Sequence, residues 1–224
     1  MRRTLLGGLR RLMQPFLLKY WYARRLSSPT RTHVSGLRLE VHPTVFHPKY
    51  FGSSRILADY VSGLPIVGRR LLDMGTGTGV VGLGAARAGA VVTAVDINPA
   101  AVACARGNAA LNGITMEVLQ SDLFDALSGR RFDLIVWNPP FFPEEPVDMA
   151  GCGWYAGAGF RAIARFAGSL RDHLDPGSPA YIILTEDTSI REIAPLFEQN
   201  GLRMTGAEAR CWGLGETMTV FEVR

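Results

Sequence analysis

Acidic residues are absent from the first 39 positions, and lysine is nearly absent throughout, occurring only as Lys19 and Lys49. Arg2, Arg3, Arg10, Arg11, Lys19, Arg24, Arg25, Arg31 and Arg38 all precede the first acid, Glu40. These are nine of the 24 basic residues, set against 20 acidic ones, so the net charge of +4 belongs to this arm and the remainder is mildly acidic. Cysteine is scarce: Cys104, Cys152 and Cys211 are odd in number and far apart. That excludes a disulfide framework and a zinc-finger spacing, and fits a reducing, cytoplasmic setting. His33, His42, His47 and His173 form no ligand-like cluster, so no metal is expected. There is no internal repeat and no long low-complexity run. The length fits one domain with a short extension. We divide the chain into a basic helical arm with a connecting region, 1–66, and a main domain, 67–224.

The main domain opens on Leu71-Leu72-Asp73-Met74-Gly75-Thr76-Gly77-Thr78-Gly79, an apolar run ending in an acid and then in alternating glycines. Short apolar runs read as buried strands of a parallel sheet, and glycines let the backbone approach a ligand closely. Val80 to Arg87 reads as a helix whose free N–H groups face the same ligand. Two ligands compete for this cradle. Gly77-Thr78-Gly79-Val80-Val81-Gly82 satisfies the dinucleotide fingerprint, with Asp96 following at about 20 residues. Asp73 with Gly75, Gly77 and Gly79 fits an S-adenosylmethionine cradle, because a cationic sulfonium tolerates a nearby carboxylate. A glycine-rich turn with no ligand is the third reading.

Further strands end in acids as well. Ala90 to Asp96 is β-branched and places Asp96 where a carboxylate accepts both ribose hydroxyls of an adenosine. Ile97 then packs on the adenine face, and Asn98 caps the helix that Pro99 begins. Met116 to Leu119 reads as a third strand running into Ser121-Asp122-Leu123-Phe124, with Asp122 placed to accept from an adenine amine.

The most specific signal is Phe132 to Trp137 followed by Asn138-Pro139-Pro140-Phe141. A planar amide or ring-bound amine is a poor nucleophile because its lone pair is delocalised. The Asn138 side-chain oxygen and the Pro139 carbonyl can accept its two N–H bonds together. Proline has fixed φ and no N–H, so the turn is rigid and presents acceptors. Phe141 offers a flat face for stacking. Catalysis of this kind is positioning and preorganised electrostatics.

The glycine loop, Asp96 and Asn138-Pro139-Pro140-Phe141 together resemble class I S-adenosylmethionine-dependent N-methyltransferases. The similarity is greatest to HemK-type protein-glutamine methyltransferases and their "methyltransferase small" relatives, from about Val41 onward. The resemblance implies a Rossmann-like α/β fold with a seven-stranded, mostly parallel sheet and helices on both faces. It implies cofactor contacts at Asp73, Gly75, Thr76, Gly77, Gly79, Asp96, Ile97, Asp122, Leu123 and Asn138, and an acceptor pocket at Asn138 to Phe141. The same tetrad serves adenine-N6 and guanine-N2 enzymes, so it fixes the kind of nitrogen. A protein glutamine side chain is the expected substrate, with a base of RNA or DNA or a small-molecule nitrogen as alternatives. Where relatives carry acids after a proline ahead of the glycine loop, this chain has Lys49, Tyr50 and Phe51.

The arm itself has a helical stripe of Leu5, Leu9, Leu12, Phe16 and Tyr20, interrupted by Pro15. It is too short and too charged to span a membrane. It reads as a helix packed on the main domain, with a phosphate grip, an anionic membrane surface or an organellar presequence as other readings. Gly151 to Gly159, rich in glycine and aromatics, is expected to form a lid over the acceptor pocket.

Overall fold

A computed structural model describes residues 28–186, 188, 190–213 and 216–224. The stripe read in the arm lies outside them. The chain begins with a hairpin, β1 (Thr30–Val34) and β2 (Leu37–Val41), and continues into α1 (Ser53–Ser62). There follow β3 (Arg70–Met74), α2 (Val80–Arg87), β4 (Val91–Asp96), α3 (Pro99–Asn112), β5 (Glu117–Gln120) and β6 (Leu134–Trp137). The last elements are α4 (Arg161–His173), β7 (Ala180–Thr185), α5 (Ile190–Glu198), β8 (Met204–Trp212) and β9 (Glu216–Val223).

Seven strands form one sheet in the order β5-β4-β3-β6-β7-β9-β8, as expected from the resemblance. Strands β3 to β7 are parallel, and β9 runs antiparallel to both β7 and β8. The two-residue period of a strand sends neighbours to opposite faces. Leu71 packs with Leu57, Leu83 and Val136 under α1 and α2, whereas Leu72 packs with Ile135, Phe166 and Phe197 under α4 and α5. Helices therefore cover both faces. Val34, Leu37 and Leu39 of the hairpin belong to the first of these cores.

The β1 strand escapes the sequence reading. Its signal is the alternation of Thr30 to Val34 before Ser35-Gly36, both with positive φ, which close a two-residue turn. The β8 strand displays no hydrophobic period in the sequence. Its side chains are mostly exposed and a bulge between Gly206 and Glu208 breaks the period, yet pairing with β9 carries it to Trp212. Asn108 of α3 clamps β2, accepting from the Glu40 N–H at 2.7 Å and donating to the Glu40 and Thr78 carbonyls.

Candidate active site

A cavity of about 690 Å³ opens at the carboxyl ends of the parallel strands, where Met74, Asp96, Ser121, Trp137 and Thr185 all reach its wall. Strands β3 and β6 lie side by side there and send their chains in opposite directions along the sheet. Such a switch point leaves a crevice that ligands occupy.

On one side stands the glycine loop. Its turn is stapled to β4: the Thr76 N–H donates to the Val95 carbonyl at 2.9 Å, and the Gly77 N–H to Asp96 Oδ2 at 2.8 Å. Gly75 has φ +61°, and a Cβ there would lie 3.2 Å from the Trp137 indole nitrogen. Only glycine meets both conditions without strain. The second Asp96 oxygen accepts from the Asn98 N–H, and Asn98 caps α3 through the Ala100 N–H at 2.9 Å. Burial pushes the Asp96 carboxyl upward against those hydrogen bonds.

Asp73 does not reach the cavity wall. It is buried, and its Oδ2 accepts from the Thr76 hydroxyl at 2.6 Å and the Gly82 N–H at 2.9 Å. It thus ties the loop to the first turn of α2. Burial raises its carboxyl to about 7, with the two hydrogen bonds opposing. Gly79 and Pro139 also stand back from the wall, whereas Gly75, Thr76, Gly77, Asp96, Ile97, Asp122, Leu123, Asn138, Pro140 and Phe141 line it. Asp122 is not a free acceptor: Arg165 of α4 donates to its Oδ2 at 2.7 Å.

Beside the glycine loop, at the end of the neighbouring strand β6, stands Asn138. Its Nδ2 donates to the hydroxyls of Ser53 at 3.1 Å and Ser54 at 2.9 Å. Its Oδ1 is buried and, among the described residues, accepts from nothing. Buried polar atoms are nearly always paired, so an orphan acceptor at a cavity calls for a donor from outside the chain. Around it stand Phe141 and Phe142, with ring centroids 5.1 Å apart. Phe46, Phe51 and Trp154 form a second group at 4.6–4.9 Å.

The loop after the tetrad lies over this region, with Gly151 to Ala156 in the cavity wall. It is tied down: Phe142 bridges Tyr155, and Arg161 forks onto both Glu145 oxygens at 2.7 Å. The sequence reading did not find Ser53, Ser54, Trp137 or Arg165. Of these only Trp137 carried a local signal, as the residue before the tetrad.

The profile of the methyltransferase small domain family matches residues 36–151. The chain belongs to that family. It is an S-adenosylmethionine-dependent methyltransferase, as the resemblance implies. A Methanocaldococcus jannaschii protein, named as a candidate protein N5-glutamine methyltransferase, is 32% identical over 173 residues, covering 73% of this chain and 85% of that one. The ribosomal RNA small subunit methyltransferase C of Chromohalobacter salexigens is 42% identical over 123 residues. That match covers 53% of this chain and only 36% of the enzyme. Among solved structures, the T. thermophilus 16S rRNA N2 G1207 methyltransferase, in complex with AdoMet and guanosine, matches with a TM-score of 0.61 and 25% identity. It spans 88% of this methyltransferase and 50% of the other chain. Among the described residues there is no cluster of metal-ligating side chains, and no helix is long and apolar enough to cross a membrane.

Proposed function

We propose that this methyltransferase transfers a methyl group to a planar amide or amine nitrogen, and that its acceptor is a glutamine side chain of a protein. The observation that carries the reading is the unpartnered, buried Asn138 Oδ1 at the cavity. An acceptor N–H placed there relieves an orphan that otherwise costs about 1–3 kcal/mol.

In this reading Gly75, Thr76 and Gly77 cradle S-adenosylmethionine, Asp96 accepts its ribose hydroxyls, and Ile97 and Leu123 flank its adenine. The cofactor supplies an electrophilic methyl group on a sulfonium. Asn138 Oδ1 accepts an N–H bond of the substrate amide, a role that Pro139, set back from the wall, does not share. This bond raises electron density on the amide nitrogen and aims the lone pair; transfer would leave the sulfur a neutral thioether, and the methylated nitrogen would give up one N–H proton. Phe141 covers the amide plane and excludes water. Asp122 shares its carboxylate between Arg165 and the adenine amine. Residues 67–224 hold the cofactor and the tetrad, and the region before them supplies the outer wall through Pro43, Thr44, Val45, Phe46, Phe51 and Ser54.

A protein acceptor is favoured over a nucleic acid by charge. Among the described residues, the arginines that line the cavity are Arg161 and Arg165, and each has a carboxylate partner at 2.7 Å. Neither is left over for a phosphate, and the wall also carries Asp96, Asp122, Asp148 and Glu216. The extensive match to the archaeal relative points the same way, since it spans most of both chains. The aromatic group of Phe46, Phe51 and Trp154 favours the second reading, a base stacked between rings.

Transfer of labelled methyl from S-adenosylmethionine into cell extract separates the two. Label removed by protease and retained after nuclease is the expected result. Label removed by nuclease, with activity falling steeply as salt rises, would replace glutamine with a base.

A further inference from the structure

The orphaned oxygen of Asn138 raises the question of what keeps its amide facing that way. A free asparagine in a polar crevice turns about its last bond and presents either end. Here the amide nitrogen has two hydrogens and finds two separate hydroxyl oxygens, Ser53 Oγ at 3.1 Å and Ser54 Oγ at 2.9 Å. Both donors are spent on α1, 84 and 85 residues earlier in the chain, and the oxygen is left to the cavity.

The serines are themselves held. Ser53 is buried, and the residue before it, Gly52, is the N-cap of α1 and has no capping side chain. Trp212, at the end of β8, lies flat against Gly52. A Cβ on Gly52 would fall 2.1 Å from Trp212 Cδ2 and 2.4 Å from Cε2, far closer than van der Waals contact allows. Arg55, one turn on, sets its guanidinium 5.6 Å from the centre of the same ring. The start of α1 is thus wedged between the sheet edge and the tetrad, and its position sets where the two hydroxyls stand.

We propose that Ser53 and Ser54 are positioning residues, which hold the Asn138 amide with its oxygen towards the acceptor nitrogen. The proposal rests on the reading of Asn138 given above. It predicts that the hydroxyls act on turnover only through that amide. Losing both frees the amide to rotate, and a misdirected acceptor lowers turnover by about 10–100-fold, the order expected of small errors in placement.

The test has two readouts. The first is the ¹⁵N-resolved side-chain NH₂ signal of Asn138, assigned by its loss in Asn138→Ala and recorded without cofactor. In the wild type both protons are expected to be protected from solvent exchange. In Ser53→Ala/Ser54→Ala they are expected to exchange freely, with the protein still folded by circular dichroism. The second is turnover at saturating S-adenosylmethionine with cell-extract protein as acceptor. The double variant should lose about 10–100-fold in the wild-type background and nothing further in the Asn138→Ala background. Ser53→Ala/Ser54→Thr, which returns one hydroxyl, should recover part of the loss. Unchanged NH₂ exchange, or an equal loss from the serine changes in both backgrounds, would overturn the proposal. Full turnover by Asn138→Ala alone would remove the functional reading and the proposal with it, and is told apart because the NH₂ signal would still depend on the serines.

Discussion

Asp73→Asn separates the charge of this residue from its hydrogen bonds. Both bonds it accepts, from the Thr76 hydroxyl and the Gly82 N–H, fall on the single oxygen Oδ2. An asparagine keeps that oxygen and loses only the charge. Burial raises the folded-state carboxyl from 3.8 to about 7. A raised pKa means that the folded protein favours the protonated form. Stability is therefore full below the unfolded pKa and falls as pH climbs towards 7, where the folded carboxyl at last ionises. A difference of about three pH units corresponds to about 4 kcal/mol in total. Between pH 5 and pH 8 the wild type should lose about 2–3 kcal/mol that Asp73→Asn does not lose. Urea unfolding of both proteins across that range measures it. The cationic cofactor favours the ionised carboxylate. Its affinity, by calorimetry, should therefore rise with pH in the wild type more than in the variant. Parallel stability curves for the two proteins would show that folding does not raise the Asp73 carboxyl.

Other consequences are as direct. Asn138→Ala removes an orphan acceptor and two N–H bonds of similar worth, so the melting temperature should stay within about 5 °C, while turnover at saturating cofactor falls by about 10²–10³. A large loss of stability by calorimetry would mark the residue as structural. Gly75→Ala forces a residue at φ +61° against Trp137; the strain of about 1–2 kcal/mol should weaken cofactor binding roughly tenfold, read by titration calorimetry. Gly52→Ala drives a methyl group to 2.1 Å from the Trp212 indole and should change indole fluorescence and lower turnover together, since it moves Ser53 and Ser54. Arg161→Ala cuts the fork onto Glu145 that ties the loop down. It should raise the apparent KM for the acceptor while shifting the melting temperature little, because an exposed pair is worth only about 0–1 kcal/mol.

The parts legible in the sequence are those whose chemistry is local. The glycine loop, the strand-ending acids and Asn138-Pro139-Pro140-Phe141 announce themselves because turn geometry and acceptor geometry are written in consecutive residues. The Asn98 cap on α3 was read for the same reason. What the sequence hid depends on pairing across the fold. Ser53 and Ser54 carry no local signal and gain a role only when α1 is laid against the tetrad. Asp122 reads as a free carboxylate until α4 brings Arg165 onto it. Asp73 reads as a ligand-facing acid, yet the close approach of Gly82 draws its carboxylate into α2. Strand β8 is hard to read from sequence because an edge strand with exposed faces has no hydrophobic period to display.

If the pocket of Asn138 methylates a glutamine amide nitrogen, the transferred methyl group is released by acid hydrolysis. Protein labelled from S-adenosylmethionine carrying a radioactive methyl group would be hydrolysed in strong acid. An N-methyl amide of glutamine breaks to glutamate and methylammonium, which leaves as volatile methylamine once the hydrolysate is made alkaline, whereas the acid does not release a methyl group from a base nitrogen or an arginine. Labelled methylamine from the wild-type reaction, and about 10²–10³ less from Asn138→Ala, is the predicted result. Label that stays non-volatile, or that is equal in the two reactions, would contradict the account.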